Sequence, residues 1–272
     1  MLYSPSSILT FKHCPRKFYY QYILKLPTKK SFALVRGSIV HSVIEDFFKI
    51  DISKVSHNNY ELIFKTLIFD LFKQDWLKNI DQINELVPEL NLQEFYYSET
   101  ADMLNNWYSS FIEKLQKKII TSNLREAFKS LTPITETRII DESLNVQGII
   151  DAILKTEYGI KLIDYKTSKR DEISEEYKLQ LAIYALLYKN QYNEIPYEVG
   201  IHFLKHDEKF IPVNDNLLSF AKTEITDVQE KTQTQEVENY NKSPGPLCKW
   251  RDGECDFFKI CRPFNQKAIG NQ

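Results

Sequence analysis

The sequence predicts an α/β fold in which a mixed central sheet is flanked by helices and preceded by a helical insert. Three observations carry that expectation. Apolar residues recur at three- and four-residue spacing from about residue 59 to 130, as on a helix face. Beyond Pro133 the grammar changes to β-branched alternation. After three strand-like runs, the segment 175–189 is apolar on most sides from Tyr177 onward, as a helix buried against a sheet would be.

Element by element, Ser4-Pro5 opens a short helix, and Cys14-Pro15 ends it and begins another, since Pro is tolerated at a first helical position but not inside a helix. Gly37-Ser38 is expected to cap a helix over about 38–49. The insert, 51–132, carries Leu62, Leu67, Leu71, Phe95, Leu104, Trp107 and Phe111 at helical spacing. Strands are expected over 137–146, 148–154, 160–165 and 197–204. A last helix over about 215–235 leads through Ser243-Pro244-Gly245-Pro246 into a Cys-rich tail. With no internal repeat or low-complexity linker, residues 1–272 read as a single domain: N-terminal helices (1–50), insert (51–132), core (133–210), and C-terminal helix with tail (211–272).

The 272 residues are 43% hydrophobic and 13% aromatic, enough for one generous core or two small ones, which excludes a disordered chain. The longest apolar runs fall well short of the ~20 residues of a bilayer span, so no membrane partner is expected. Lacking a secretory signal, the chain is expected to be cytoplasmic, with its four cysteines serving as thiolates rather than as two disulfides. Its seven glycines form neither a P-loop nor a dinucleotide fingerprint, which excludes a nucleotide-driven motor. The net charge of −2 hides an asymmetry: residues 1–44 hold seven Lys or Arg and no acid, whereas residues 51–110 hold ten acids and four bases. Tyr3, Phe11, Phe18, Tyr19, Tyr20, Tyr22 and Phe32 lie in or beside that basic stretch, a mixture that suits phosphates and unstacked bases; Arg16 and Lys17 are candidate contacts. A helical hairpin with snorkelling lysines reads equally well from composition.

The chemistry concentrates around residues 151–166. A hairpin centred between Glu157 and Tyr158 sets Asp151 opposite Asp164. Like charges so placed need a cation or a proton, and a hard divalent metal is the direct answer. Strand period two puts Lys166 on the face of Asp164 and turns Tyr165 away, leaving its carbonyl free to act as a ligand. Both strands are otherwise apolar, so these charges are set into a covered sheet, where buried ionisable groups point to function. Two carboxylates, an ammonium and a metal can position water and stabilise charge on a phosphate. His41 and Glu45 lie one turn apart, as do Gln180 and Tyr184, which could meet a nucleic-acid strand or orient the lysine.

The ordered set His41, Gly148-Ile149-Ile150-Asp151, Asp164-Tyr165-Lys166-Thr167 and Gln180-Leu181-Ala182-Ile183-Tyr184 resembles the PD-(D/E)xK nuclease superfamily, in its RecB-like branch. That resemblance implies a restriction-endonuclease-like core in which His41, Asp151, Asp164 and the Tyr165 carbonyl hold Mg²⁺ or Mn²⁺. It further implies that Lys166 orients the attacking water or stabilises the transition state, that Gln180 and Tyr184 support substrate binding, and that Glu136 is an additional acidic residue of the catalytic set. Cys14 at one end and Cys248, Cys255 and Cys261 at the other resemble the iron-sulfur subset of this branch, including AddB-type and CRISPR-associated exonucleases. The implied cofactor is a 4Fe-4S cluster stapling the two ends together. The Cys248–Cys255 spacing is longer than in that subset, as if Arg251-Asp252-Gly253-Glu254 were inserted, and four cysteines also suit Zn²⁺.

The activity implied is a metal-dependent single-stranded DNA exonuclease in repair, recombination, replication processing or CRISPR adaptation. Its partners would be DNA with single-stranded ends and a helicase or a recombination or CRISPR-adaptation protein. The alternatives are an endonuclease or flap nuclease on the same site, or a non-catalytic DNA-binding or partner-docking module.

Overall fold

A computed structural model describes residues 1–251 and 253–263. The elements are α1 (Pro5–His13), α2 (Pro15–Phe18) running into a π turn (Tyr19–Ile23), α3 (Phe32–Phe47), α4 (Tyr60–Lys78), α5 (Ile80–Leu86), α6 (Leu90–Ile119), α7 (Leu124–Leu131), β1 (Ile134–Asp141), β2 (Val146–Thr156), β3 (Gly159–Lys166), α8 (Glu175–Tyr192), β4 (Glu198–Phe203), β5 (Glu208–Pro212), α9 (Asp215–Lys231), β6 (Lys249–Trp250), β7 (Gly253–Glu254) and α10 (Phe258–Cys261). Strands β1 to β5 form one sheet in sequence order, antiparallel except for the β3–β4 pair, with α8 as the crossover.

Two apolar cores lie on opposite faces of this sheet. One gathers α1, the π turn, α8 and α9 over Ile150, Ile153, Leu162 and Ile201. The other gathers α3 to α7 over Ala152, Ile163 and Tyr165. The helix over 175–189 is confirmed, and its all-round apolarity has a clear cause: Leu179, Ala182, Ile183 and Leu187 are fully covered between the sheet, α1 and α9.

Three expectations are corrected. The helix carrying His41 begins seven residues earlier than Gly37-Ser38 suggested: Ser31 caps it by accepting from Leu34 N–H, and Gly37 lies inside it. Gly37 has nothing within 4 Å of where a Cβ would stand, so its bare backbone leaves the helix open on that side. The run 137–146 is not one strand, because residues 142–145 turn, with Asn145 at φ 51°, and Val146 opens β2. Strand β5 was not foreseen. Charged Glu208 and Lys209 on an edge strand blunt the alternation that would reveal it, and Pro212 is tolerated only because the strand is an edge. Gly200 on β4 lets β5 approach, since a Cβ there would lie 2.3 Å from Phe210 and 2.4 Å from the Lys209 carbonyl.

The basic N-terminal stretch is also reinterpreted. Tyr3, Phe11, Phe18, Tyr19 and Tyr20 are buried core residues around Tyr240, and Tyr22 packs against them, so these rings are not available to bases. Lys12, Lys17, Lys29 and Arg36 pair with Glu224, Asp256, Glu254 and Glu99, which neutralises much of the local charge. No helix among the described residues is long and apolar enough to cross a membrane.

Candidate active site

The site forms where the β1–β2 ladder is interrupted. Thr135 pairs with Ala152 and Thr137 with Ile150, but the intervening Glu136 and Asp151 do not pair, and Glu136 adopts φ 46°. A left-handed conformation costs a non-glycine residue on the order of 1 kcal/mol or more. The interruption inverts the facing of β2: Ile150 and Ile153, three residues apart, both enter the α8 core, while Ala152 faces the insert. Strain at Glu136 thus coincides with the point where β2 changes faces and presents Asp151.

The β2–β3 ladder ends one pair short of Asp151 and Asp164, at Ala152–Ile163. There the Asp151 carboxylate takes over the role of a backbone acceptor: Tyr165 N–H donates to its Oδ2 at 2.7 Å. Its other oxygen lies 3.5 Å from His41 Nδ1, and Glu136 Oε1 lies 3.6 Å from the same nitrogen. His41 Nε2 stands 3.1 Å from the Tyr165 carbonyl, to which only a protonated Nε2 can donate. One ligand atom from each of His41, Glu136 and Asp151 can be chosen so that all three lie within 4.8 Å of one another.

The two aspartates, opposite in register, are held differently. Asp164 turns toward α8, where Gln180 Nε2 donates to its Oδ1 and to the Tyr184 hydroxyl, both at 2.9 Å. Asp164 Oδ2 is 2.7 Å from Lys166 Nζ yet is buried without a well-directed hydrogen bond. Asp164 is therefore outside the compact ligand trio, in contrast to the set expected from the sequence, and Glu136 stands in that trio. Tyr184 is buried, so Gln180 and Tyr184 orient Asp164 from behind rather than project into solvent.

Electrostatics reflect this crowding. Burial, and then the nearby Asp164 charge, raise the Asp151 carboxyl to about 7. Burial pulls the His41 imidazole down, but the Glu136 contact and the charges of Asp151 and Asp164 outweigh it and raise it to about 9. Burial likewise disfavours the Lys166 ammonium, and Asp164 more than compensates, so its pKa is raised. Lys166 therefore acts as a fixed cation and not as a base.

Above these groups opens a cleft of about 810 Å³ lined by Leu34, Arg36, Gly37, His41, Glu136, Lys166, Thr167 and Tyr177, among others. Arg36 was not foreseen as a site residue. It pairs with Glu99 of α6, which also holds Lys205, and its Nη2 reaches the Thr167 carbonyl at 3.5 Å. No local pattern could reveal a triad whose members lie 63 and 106 residues apart. Arg16 and Lys17, expected to touch DNA, instead hold the C-terminal segment: Arg16 Nε donates to the Tyr240 carbonyl at 2.7 Å, and Lys17 Nζ lies 3.8 Å from Asp256.

The four cysteines are half-buried thiols. Cys14 and Cys248 lie near enough to Cys261 for their charges to act on it, and Cys255 N–H donates to the Cys248 carbonyl at 3.0 Å. Among the described residues no three cysteine sulfurs lie within 4.8 Å of one another. Asp252, in the stretch that lengthens the Cys248–Cys255 spacing, lies outside the described residues.

Comparison with known proteins follows the same residues. Residues 3–262 match the family model of the PD-(D/E)XK nuclease superfamily. The chain belongs to this superfamily. Curated relatives are of the RecB-like kind: an ATP-dependent helicase/nuclease subunit from Clostridium perfringens is 28% identical over 177 residues, covering 60% of this chain, and the corresponding protein of Clostridium beijerinckii is 29% identical over 170 residues, covering 55%. Its counterpart in Thermoanaerobacter sp. (strain X514) is 41% identical over 71 residues, covering 24% of this chain. The matches span only 12%, 12% and 5% of those relatives' lengths. A crystal structure from Eubacterium rectale, provisionally assigned as an exonuclease, superposes with a TM-score of 0.52 at 15% identity, covering 99% of this chain and 91% of that one, which shows a shared fold.

The superfamily is one of divalent-metal nucleases, and the donor set fits a hard cation. An imidazole and two carboxylates converge, and a neighbouring buried carboxylate oxygen of Asp164 lacks a directed partner.

Proposed function

We propose that this protein is a metal-dependent deoxyribonuclease that hydrolyses phosphodiester bonds, acting as an exonuclease on single-stranded DNA, with residues 1–272 working as one domain. The observation that carries the reading is the convergence of His41, Glu136 and Asp151 beside the Lys166–Asp164 pair at the floor of an open cleft. His41, Glu136 and Asp151 would hold Mg²⁺ or Mn²⁺, with Asp164 and the Tyr165 carbonyl beside them. The ion would acidify a bound water and offset charge on the phosphate. The protein's own groups do the rest. Lys166 presents a fixed positive charge to the scissile phosphate. Gln180, itself bonded to Tyr184, holds one oxygen of Asp164 so that the other faces Lys166. The Tyr165 amide pins Asp151.

The relatives named as parts of a helicase/nuclease support a helicase as the partner that supplies unpaired strands. In the test, end-labelled linear single-stranded DNA is incubated with the protein and Mg²⁺ or Mn²⁺. Shortening from one labelled end, abolished by EDTA, is expected, with covalently closed single-stranded circles left intact. Cleavage of the circles would make it an endonuclease. Metal-independent or absent cleavage of every linear, flapped and duplex substrate would remove the enzymatic reading.

The proposal extends to a 4Fe-4S cluster held by Cys14, Cys248, Cys255 and Cys261. It is supported by one N-terminal and three C-terminal cysteines meeting at the same junction, which Arg16 and Lys17 also close. A tetrahedral zinc with Zn–S bonds of about 2.3 Å would need sulfurs within about 4 Å of one another, closer than any three cysteine sulfurs among the described residues. Anaerobically purified protein is expected to be brown, and Cys255→Ala to lose both the colour and thermal stability. A colourless wild type carrying stoichiometric zinc would refute the cluster.

A further inference from the structure

With the N-terminal rings buried, the aromatic surface that reaches the cleft comes from elsewhere. At the start of α3, Phe32 stacks on Tyr96 of α6, with ring centroids 4.4 Å apart and planes 28° from parallel. Phe95 adjoins Tyr96 at 5.6 Å and is 57% exposed. The Arg36 guanidinium lies 5.7 Å from the Phe32 ring and 5.9 Å from the Tyr96 ring, and from there enters the cleft wall beside Leu34, which is 70% exposed. The series Phe95, Tyr96, Phe32, Arg36 is thus a continuous path from an exposed ring to the groups around His41 and Lys166.

Neither cohesion nor solubility accounts for these exposed side chains. Phe95 and Leu34 leave large apolar area in water, whereas neighbouring Tyr97 is packed against Phe72 and Trp76. Flat rings interleaved with a guanidinium and opening onto a cationic, metal-binding floor suit a strand that offers both π-faces and phosphates. A stacked duplex hides its base faces; an unpaired strand exposes them. A purely apolar protein partner would leave the Arg36 and Lys166 charges at the end of the path without a counterpart.

Resting on the nuclease reading above, we propose that Phe95, the Phe32–Tyr96 stack and Leu34 form a base-stacking ledge, built by the helical insert against α3, that receives unpaired nucleotides and leads them to the metal site. The ledge recognises bases as flat surfaces without reading their sequence, and makes single-strandedness a property of the insert.

The test separates bases from phosphates. Binding of a fluorescent oligothymidine to the full chain is measured by anisotropy with Ca²⁺ replacing Mg²⁺, and compared with a strand of equal length made of abasic sites. Wild type is expected to prefer the base-bearing strand by roughly tenfold or more, since each stacked base is worth that order of affinity. Phe95→Ala and Leu34→Ala, both at exposed positions that a fold tolerates, should each shrink that preference, and Phe95→Trp should keep it. Equal affinity of wild type for the two strands, or an undiminished preference in both alanine variants, would overturn the ledge. Failure of wild type to cleave any DNA with Mg²⁺ while preferring the base-bearing strand would instead count against the nuclease reading and leave the ledge standing.

Discussion

Asp151→Asn is expected to abolish cleavage while making the metal-free protein more stable at neutral pH. The carboxylate sits at the meeting point of β2, β3 and α3, and it supplies both a member of the ligand trio and the acceptor for the Tyr165 amide. An asparagine keeps an acceptor oxygen for that amide but loses the charge, so the fold survives and the cation is lost. Activity with Mg²⁺ should fall by roughly 10³-fold or more, the scale of removing metal-based and electrostatic stabilisation together.

The stability gain has a definite pH dependence. Asp151 is raised from its ordinary value of 3.8 to about 7 in the folded chain. A carboxyl raised on folding favours the native state when protonated, so its contribution is present below about pH 4 and lost as pH climbs to about 7. His41, raised to about 9, contributes in the sense of a base gaining partners: fully below its ordinary 6.5, and lost as pH passes 9. The variant also gives up the attraction between Asp151 and that imidazolium, which trims the gain. Urea unfolding in EDTA should therefore show the variant gaining about 1–2 kcal/mol on wild type between pH 5 and pH 8. A variant that loses activity and also becomes less stable over that window would mean that Asp151 is a structural acceptor first.

Lys166→Ala carries the second large effect. Its ammonium lies 2.7 Å from Asp164 and 5.6 Å from the Tyr177 ring centroid, within the cleft wall. Because its pKa is raised, it is cationic throughout the neutral range and can stabilise developing negative charge without donating or taking a proton at rest. Removing it should lower kcat by roughly 10²–10³-fold with little change in KM, the pattern of an interaction made mainly in the transition state. Metal-dependent binding of DNA in Ca²⁺ should persist. Loss through KM alone would reassign Lys166 to ground-state binding, and unchanged kcat would remove it from the chemistry. A pH–rate profile that gained no new limb between pH 6 and 9 in wild type on its account would agree with its role as a fixed charge.

How much of this could be read along the chain depends on the range of each interaction. The hairpin register was legible because a turn between two strands fixes which residues oppose: the observed pairs Ala152–Ile163 to Thr156–Gly159 follow the centre placed between Glu157 and Tyr158. The shared face of Asp164 and Lys166 followed from period two alone. Helix α8 was legible because a segment covered on all sides must be apolar on all sides. Edge strand β5 and the early start of α3 were not, since an edge tolerates charge and Ser31 is no stronger a local signal than Ser38.

Within the site, residue identities were local and their roles were not. His41, Glu136, Asp151, Asp164 and Lys166 could be named in order along the chain, but period two cannot tell which carboxylate turns toward His41. That was decided by the broken Glu136–Asp151 pair, which flips β2, and by Gln180 drawing Asp164 toward α8. The same limit explains the aromatic residues. Composition places many rings near the N-terminus, yet Tyr240 and the α9 side bury most of them, and the rings that reach the cleft come from α6, more than sixty residues beyond Phe32. Sequence alone thus determined the elements, the hairpin register and the cast of ionisable residues, because these depend on neighbours a few positions apart. Only the tertiary structure decided which carboxylate joins the trio, which cations are already paired and which rings stay exposed, because burial and charge pairing are set by segments that meet only once the chain has folded.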